Sequence, residues 1–189
     1  MPTTSKRAFT LVELLVAVVV SGILVGITAS TYSLFRRSMA LDQGRVSLSQ
    51  NARIALDRIS RELRQTPAVV TLLPANPSDL STPQPGELEF EDGHANDLTY
   101  RRYYLSGGTL KVDVKQYYFA YDPTTRVRWN EQGTGGVSPI SNVISTNDIA
   151  DNVQSISYYG SNEVQILVTM LDSEGQQFQL RTTVLGRNL

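Results

Sequence analysis

The chain opens with an apolar run much longer than any later one. Residues 9–35 are 27 residues in which Glu13 is the only charged side chain. A helix of that length would extend for about 40 Å, which exceeds the thickness of the hydrocarbon core of a bilayer. The pattern therefore predicts a membrane-spanning helix over residues 9–35.

Apolar residues at every third or fourth position follow this run. The spacing predicts that the helix continues as an amphipathic stem over residues 36–66, ended by Pro67. The apolar stripe consists of Leu48, Ala52, Leu56, Ile59 and Leu63. Two pairs of opposite charge lie four residues apart and predict ion pairs: Asp57 with Arg61, and Arg58 with Glu62.

The remaining residues, 67–189, alternate short β-branched and aromatic runs with turn residues. Prolines and small polar residues after Pro67 predict a loop. Strands are predicted at residues 87–90, 98–105, 110–115, 116–121, 127–129, 153–159, 164–171 and 178–185. Glycines in residues 106–109 and 172–176 predict hairpin turns. We therefore expect an α+β protein in which a long N-terminal helix packs on a mostly antiparallel sheet within one β-rich head.

A basic pair, Lys6 and Arg7, directly precedes the apolar run. In a secretory signal peptide the small residues at the cleavage site follow the apolar region, so the apolar region is lost. Here the small residue Ala8 precedes it, and cleavage after Ala8 would remove only a leader of residues 1–8. The hydrophobic helix is expected to remain in the mature protein.

Residues 9–17, with the basic leader and small residue before them, resemble precursors of the type IV pilin and pseudopilin family. That family has Phe-Thr-Leu-Val-Glu at the start of its apolar helix, and usually has Gly where this chain has Ala8. The resemblance implies that a prepilin peptidase cleaves between Ala8 and Phe9 on the cytoplasmic side and methylates the new amino group of Phe9. It implies a pilin-like fold, and the small set of residues suited to chemistry adds the expectation that the protein is no enzyme, with no catalytic residues and no cofactor.

The same resemblance implies where the protein lies and what it contacts. The chain would cross the bacterial inner membrane once with its head in the periplasm, and would enter a periplasmic or extracellular hetero-oligomeric filament. Its partners would be other pilins or pseudopilins, the inner-membrane assembly platform and the prepilin peptidase. Basic residues flank the apolar run on both sides, so the positive-inside rule alone does not fix the orientation.

Glu13 is the one carboxylate of the apolar run. An ionised carboxylate within hydrocarbon costs about 2.5–3.5 kcal/mol on insertion scales, so such residues usually have a partner. Near the start of a helix the dipole offsets roughly 0.3–1 kcal/mol of that cost. The resemblance implies that the other partner is the Phe9 amine of a neighbouring subunit, which makes Glu13 an assembly residue. The alternative is an ordinary signal anchor whose Glu13 side chain extends to the membrane interface.

Three stretches of the head resemble W-type minor pilins and the J-type minor pseudopilins of type II secretion: residues 98–110, 149–153 and 185–188. This resemblance implies a low-abundance subunit near the filament tip. It does not separate secretion, twitching, adhesion and DNA uptake. The alternative function is a signal-anchored extracytoplasmic binding or adhesion module that does not polymerise.

Charge differs between the stem and the head. Residues 36–65 carry 7 basic and 3 acidic side chains, whereas residues 67–189 carry 8 basic and 14 acidic side chains. Lys and Arg contacts to phosphate supply most of the energy of non-specific DNA binding, so an acidic head argues against direct binding of nucleic acid. A DNA-binding patch would require four basic residues to lie together: Arg101, Arg102, Lys111 and Lys115.

Few residues of the head suit chemistry. The chain has one His, no Cys and no nucleophile-elbow sequence, and His94 is expected in a solvated turn. Two groups of carboxylates could bind calcium: Glu87 with Glu89 and Glu91, and Asp172 with Glu174. The first group could also serve glycoside chemistry, or could simply form an exposed strand face. The head is also rich in aromatic residues: Tyr100, Tyr103, Tyr104, Tyr117, Tyr118, Tyr121, Trp129, Tyr158 and Tyr159. We expect them to pack in the sheet. The alternative is a surface on which they stack on sugars.

Overall fold

A computed structural model describes residues 10–93, 97–160, 163–172 and 175–186, except for the side chains of residues 40–42. Within these residues one α-helix precedes eight β-strands. The chain divides into two compact units, one ending at Gly44 and one beginning at Arg45.

Helix α1 (Leu11–Arg64) is continuous and contains both the predicted membrane segment and most of the predicted stem. The backbone N–H groups of residues 65 and 66 bond to carbonyls three residues earlier, at 3.2 and 3.3 Å. Such bonds tighten the last turn of a helix, and Pro67 follows directly. The predicted end of the helix is thus confirmed to within two residues.

The predicted apolar stripe forms the buried face of the helix in the second unit. Its buried residues are Ala52, Ala55, Leu56, Ile59 and Leu63, and Leu48 packs against them while partly exposed. Both predicted ion pairs are present, with Arg58 Nε 3.2 Å from a Glu62 carboxylate oxygen and Arg61 Nη2 3.8 Å from one of Asp57.

Two antiparallel sheets follow, where the sequence predicted one. The first sheet contains β1 (Glu87–Glu91), β2 (Tyr100–Ser106), β3 (Thr109–Phe119), β4 (Asp122–Val127) and β5 (Ile140–Ala150). In it β1 pairs with β2, β2 with β3, and β3 with both β4 and β5. The second sheet has the order β6 (Val153–Tyr159), β7 (Val164–Leu171) and β8 (Gln177–Val184).

Strands β1, β2, β6, β7 and β8 lie within two residues of their predicted ranges. The other strands differ from the prediction. The predicted strands 110–115 and 116–121 overlap the single strand β3, the predicted strand 127–129 is absent because β4 ends at Val127, and neither β4 nor β5 was predicted.

One hydrophobic core joins the helix stem to both sheets. The first sheet supplies Leu88, Phe90, Tyr103, Leu110 and Val112. The second supplies alternate residues of β7, which share one face of a strand: Val164, Ile166, Val168 and Met170. The α+β class predicted from the sequence is therefore confirmed.

The hairpin predicted at residues 106–109 joins β2 to β3. Both central residues have positive φ, 59° at Gly107 and 82° at Gly108. A two-residue turn of this kind requires positive φ at both positions, which glycine adopts without steric cost. The second predicted turn joins β7 to β8, and residues 173 and 174 within it lie outside the described residues.

Candidate assembly site at the start of the helix

Thr10 and Glu13 form a reciprocal hydrogen-bonded cap at the start of α1. The backbone N–H of Glu13 donates to Thr10 Oγ1 at 3.2 Å. In return, Glu13 Oε2 accepts from the Thr10 backbone N–H at 3.1 Å and from the Thr10 hydroxyl at 3.2 Å. This is the capping-box arrangement of Thr-x-x-Glu, which satisfies two backbone donors that the helix itself leaves unpaired.

The cap uses one oxygen of the Glu13 carboxylate and leaves the other available. Both bonds from Thr10 end on Oε2, and Oε1 accepts none from the residues that the structure describes. Glu13 is also exposed. The cap therefore orients the carboxylate while Oε1 stays accessible to a cation from outside the chain.

The helix that follows the cap presents an apolar surface on all sides. Its large side chains are exposed over the whole run, for example Leu11 at 81%, Ile23 at 58% and Phe35 at 55%. This helix is long and apolar enough to cross a membrane, and none of its most apolar window is buried in the chain. A surface of this kind is stable only when lipid or other apolar helices cover it.

Four hydroxyl residues near the end of this run bond to their own helix. The hydroxyls of Thr28, Ser30 and Thr31 each donate to the carbonyl four residues earlier, at 2.8 to 2.9 Å. Ser33 donates to the Ser30 carbonyl at 2.8 Å. Because no water is available in hydrocarbon, such internal bonds let hydroxyl groups enter a membrane or helix bundle without an unsatisfied donor.

Comparison with known families identifies this N-terminus. Residues 3–29 match the prokaryotic N-terminal methylation motif. The N-terminus is of the prepilin type. The match supports the type IV pilin and pseudopilin family, processing by a prepilin peptidase and anchoring in a membrane. No curated protein and no solved structure matches the chain.

The matched segment contains the three predicted site residues. Ala8 and Phe9 lie outside the described residues, so the cleavage and methylation assigned to them stay predictions. Glu13 lies in the first turn of α1 within the matched segment, and its role in assembly also stays a prediction. Sequence reasoning missed Thr10, although its spacing from Glu13 is that of a capping box.

Two of the three carboxylates of β1, Glu89 and Glu91, are buried rather than on the exposed strand face that the sequence suggested, while the Glu87 side chain is 44% exposed. Glu89 is 4% exposed, and its carboxylate accepts from Lys115 Nζ at 2.7 Å and from the Tyr117 hydroxyl at 2.5 Å. Glu87 accepts from Arg102 Nη1 at 3.3 Å. Burial, and then the bond to Glu89, raise the pKa of Tyr117. These groups neutralise one another within the head.

The four basic residues that a DNA-binding patch would require do not all share one face of the sheet. Arg102, Lys111 and Lys115 lie on the same face of the paired strands β2 and β3, whereas Arg101 points to the opposite face. Each of the four pairs with a carboxylate: Arg101 with Glu62 and Asp92, Arg102 with Glu87 and Asp113, Lys111 with Asp148, and Lys115 with Glu89. Paired in this way they offer little charge to phosphate.

The remaining candidate residues give no metal site among the described residues. No group of three or more His, Asp or Glu side chains is placed there to hold an ion. Asp172 lies 3.4 Å from Arg45 Nε, while Glu174 and His94 lie outside the described residues.

The aromatic residues of the head serve mainly in packing. Tyr100, Tyr103 and Tyr158 are fully buried. The rings of Tyr100 and Tyr117 meet edge to face with centroids 4.9 Å apart, a favourable geometry for aromatic pairs. Tyr121 and Trp129 are exceptions, at 59% and 37% exposure, and Tyr121 stacks on Phe119 with centroids 5.2 Å apart.

Proposed function

We propose that this protein is a low-abundance subunit of a type IV pilus or type II secretion pseudopilus, incorporated near the filament tip. The prepilin peptidase cleaves between Ala8 and Phe9 and methylates Phe9, and the head lies on the periplasmic side of the inner membrane. The observation that carries this proposal is the match of residues 3–29 to the methylation motif, together with the exposed apolar run of residues 9–35, in which Glu13 is the only charged residue.

The geometry of Glu13 supports a role in polymerisation. Cleavage after Ala8 would place the new amine at Phe9, next to the cap formed by Thr10 and Glu13. A neighbouring subunit with the same N-terminus would bring its Phe9 amine to the accessible Oε1. This pairing would offset the cost of about 2.5–3.5 kcal/mol for a carboxylate in hydrocarbon and would fix the register between adjacent apolar helices.

Two features of the head support a minor role near the filament tip and the absence of catalysis. Its sequence resembles minor subunits over residues 98–110 and 149–153, which form β2 with the start of β3 and the junction of β5 with β6. Its buried carboxylate Glu89 and the basic residue Lys115 form an ion pair, as expected of a structural cluster. We therefore assign the head a contact surface and no reaction of its own.

The second candidate function is a signal-anchored module that never polymerises. One observation favours it: Thr10 already provides Glu13 Oε2 with two hydrogen bonds, so the carboxylate is partly satisfied without a neighbouring subunit. In that case the chain would keep residues 1–8 and carry no methyl group.

The N-terminus of the protein recovered from cell membranes distinguishes the two functions. The intact mass and the N-terminal peptide should show a chain that begins at Phe9 with one methyl group. The Ala8→Gly variant, which carries the residue that the family usually has there, should be processed at least as completely. A chain that begins at Met1 with an unmodified amine in both proteins would remove the proposed function and leave the anchored module.

A further inference from the structure

Strand β5 (Ile140–Ala150) buries almost nothing. Residues 140–148 are all exposed, and only Ile149 and Ala150 at its end are shielded from solvent. Strands of a folded head normally bury at least one face. An 11-residue strand exposed on both faces gains its stability from backbone pairing rather than from the core.

The outer edge of β5 is open. The strand pairs with β3 on one side, from Ile140 opposite Tyr118 to Ala150 opposite Leu110, and with no other strand among the described residues. In an antiparallel pair every second residue directs its N–H and C=O away from the partner strand. The register against β3 shifts at Ile144 and at Ile149, so the outer edge of β5 carries a row of backbone donors and acceptors that two irregularities interrupt.

The opposite edge of the same sheet is covered by the chain itself. The N–H groups of Val70 and Thr71 donate to the Glu89 carbonyl of β1 at 2.8 and 3.2 Å, and the Glu91 N–H donates to the Ala68 carbonyl at 2.9 Å. The loop that follows the helix thus shields β1. The described chain contains no equivalent segment beside β5.

The composition of β5 lacks the features that keep open edges apart. Natural edge strands carry Lys, inward-pointing charges or proline to prevent pairing with other chains. Residues 140–147 of β5 contain no charged side chain, Asp148 near its end pairs with Lys111, and Pro139 lies before the strand rather than in it. Three apolar residues of β5 are exposed instead: Ile140 at 45%, Val143 at 43% and Ile144 at 51%.

We propose that the open edge of β5 binds an extended segment of a different filament subunit, which adds a strand to the sheet. This inference rests on the proposed function. A row of backbone donors and acceptors is complementary to another extended chain, and main-chain hydrogen bonds supply the affinity in such complexes. The uncharged, β-branched surface calls for an uncharged partner strand, because a charge placed there would lose solvation without gaining a counter-ion.

Charge argues for a different subunit rather than a second copy. Residues 67–189 carry 14 acidic and 8 basic side chains, so two heads of this chain would repel each other when brought edge to edge. A partner whose head is neutral or basic meets no such barrier.

Lysine on the edge tests this proposal in the full chain. The double variant Val143→Lys, Ile144→Lys places two charges on β5, and its recovery in sheared filaments should fall about tenfold or more relative to the wild type. The matched control is Leu72→Lys, Leu80→Lys, which changes two residues of the loop that are 77% and 97% exposed. The control should be recovered within about twofold of the wild type. If the wild type, the β5 double variant and the loop control all begin at Phe9 and are recovered equally, the strand-addition inference is wrong and the proposed function still stands.

A photo-reactive residue at Asn142 identifies the partner in the same cells. The expected adduct joins this chain to a different protein with a prepilin-type N-terminus, and the lysine variants on β5 should abolish it. An adduct between two copies of this chain, an adduct with an unrelated protein, or no adduct would overturn the inference whatever the N-terminus of the chain is. A wild-type chain that begins at Met1 and is absent from filaments would instead refute the proposed function.

Discussion

Arg101 on strand β2 donates from Nη1 to Oε1 of Glu62 on helix α1 at 3.1 Å, so a charge pair joins the sheet to the helix. The same Glu62 oxygen accepts from Arg58 Nε at 3.2 Å, and its other oxygen accepts from the Tyr103 hydroxyl. Glu62 has a side-chain exposure of 12% and Arg101 of 21%. One carboxylate therefore satisfies three donors at the boundary between helix and sheet.

Glu62→Ala should destabilise the head by about 2 kcal/mol, because it leaves the buried Tyr103 hydroxyl without its acceptor and leaves Arg101 with the Asp92 carboxylate but without that of Glu62. The free energy of unfolding can be measured on the full chain in detergent with urea. Trp129 is the only tryptophan of the chain and provides the fluorescence signal.

Asp57→Ala is the matched control for this change. Asp57 lies on the same helix and pairs with Arg61, but the two side chains are 79% and 66% exposed. Exposed pairs four residues apart contribute about 0.3–0.5 kcal/mol. Equal effects of the two substitutions would show that Glu62 does not join helix and sheet.

A pH-dependent contribution is expected from Asp113. Burial alone would raise its pKa, but hydrogen bonds from the Thr146 hydroxyl at 2.7 Å and from the Arg102 guanidinium lower the pKa below its ordinary value. A carboxylate whose folded pKa lies below its unfolded value of about 3.9 stabilises the fold above that pH, and loses this effect as the pH falls through the folded pKa.

Asp113→Asn should therefore lower the free energy of unfolding at neutral pH, and its difference from the wild type should shrink below about pH 4. Urea unfolding between about pH 3 and pH 7 measures this difference. Asp148→Asn removes a carboxylate that is 65% exposed and paired with Lys111, and should change stability much less. A difference for Asp113→Asn that does not vary with pH would contradict the assignment.

Ser60 offers a stabilising substitution. Its hydroxyl oxygen is buried on the inner face of α1 and has no hydrogen-bond partner among the described residues. Ser60→Ala removes this unsatisfied group and raises helix propensity, so it should increase the free energy of unfolding by about 1 kcal/mol. Ser47→Ala on the exposed face of the helix gains only the propensity, about 0.5 kcal/mol. A loss of stability for Ser60→Ala would show that its hydroxyl has a partner.

The elements that could be predicted from the sequence are those whose residues face a core. The stem stripe from Ala52 to Leu63 and the alternation of β7 follow directly from periods of 3.6 and 2. Strand β5 could not be found in this way, because its polar and apolar residues follow one another without alternation on a strand exposed on both faces. Without a buried face, no period distinguishes a strand from a loop.

The polar contacts were equally hidden from the sequence. Glu89 lies 26 residues before Lys115, and they meet because β1 and β3 flank β2 in the sheet. Strand β4 was missed because Asp122 and Pro123 are typical of turns, although proline is tolerated in a strand at the edge of a sheet. By contrast Glu13 could be singled out at once, since a lone carboxylate in an apolar run is costly wherever the chain folds.

Substitutions at Glu13 separate its capping bonds from its charge. Glutamine also completes a capping box, so Glu13→Gln keeps an acceptor for Thr10 but removes the negative charge. Glu13→Ala removes both. If Oε1 pairs with the amine of a neighbouring subunit, both variants should be lost from filaments to a similar extent, by about tenfold or more. The amount of chain in sheared filaments and in the membrane fraction measures this.

Thr10→Ala is the complementary change, because it removes only the hydroxyl that Glu13 bonds and leaves the carboxylate charged. Loss of such a cap costs about 0.5–2 kcal/mol of helix stability, so incorporation should fall less than in the Glu13 variants. Thr10→Ser keeps a hydroxyl in the same place and should behave as the wild type. Normal incorporation of Glu13→Gln, together with a defect in Thr10→Ala, would mean that Glu13 acts as a helix cap and that its charge does not hold neighbouring subunits in register.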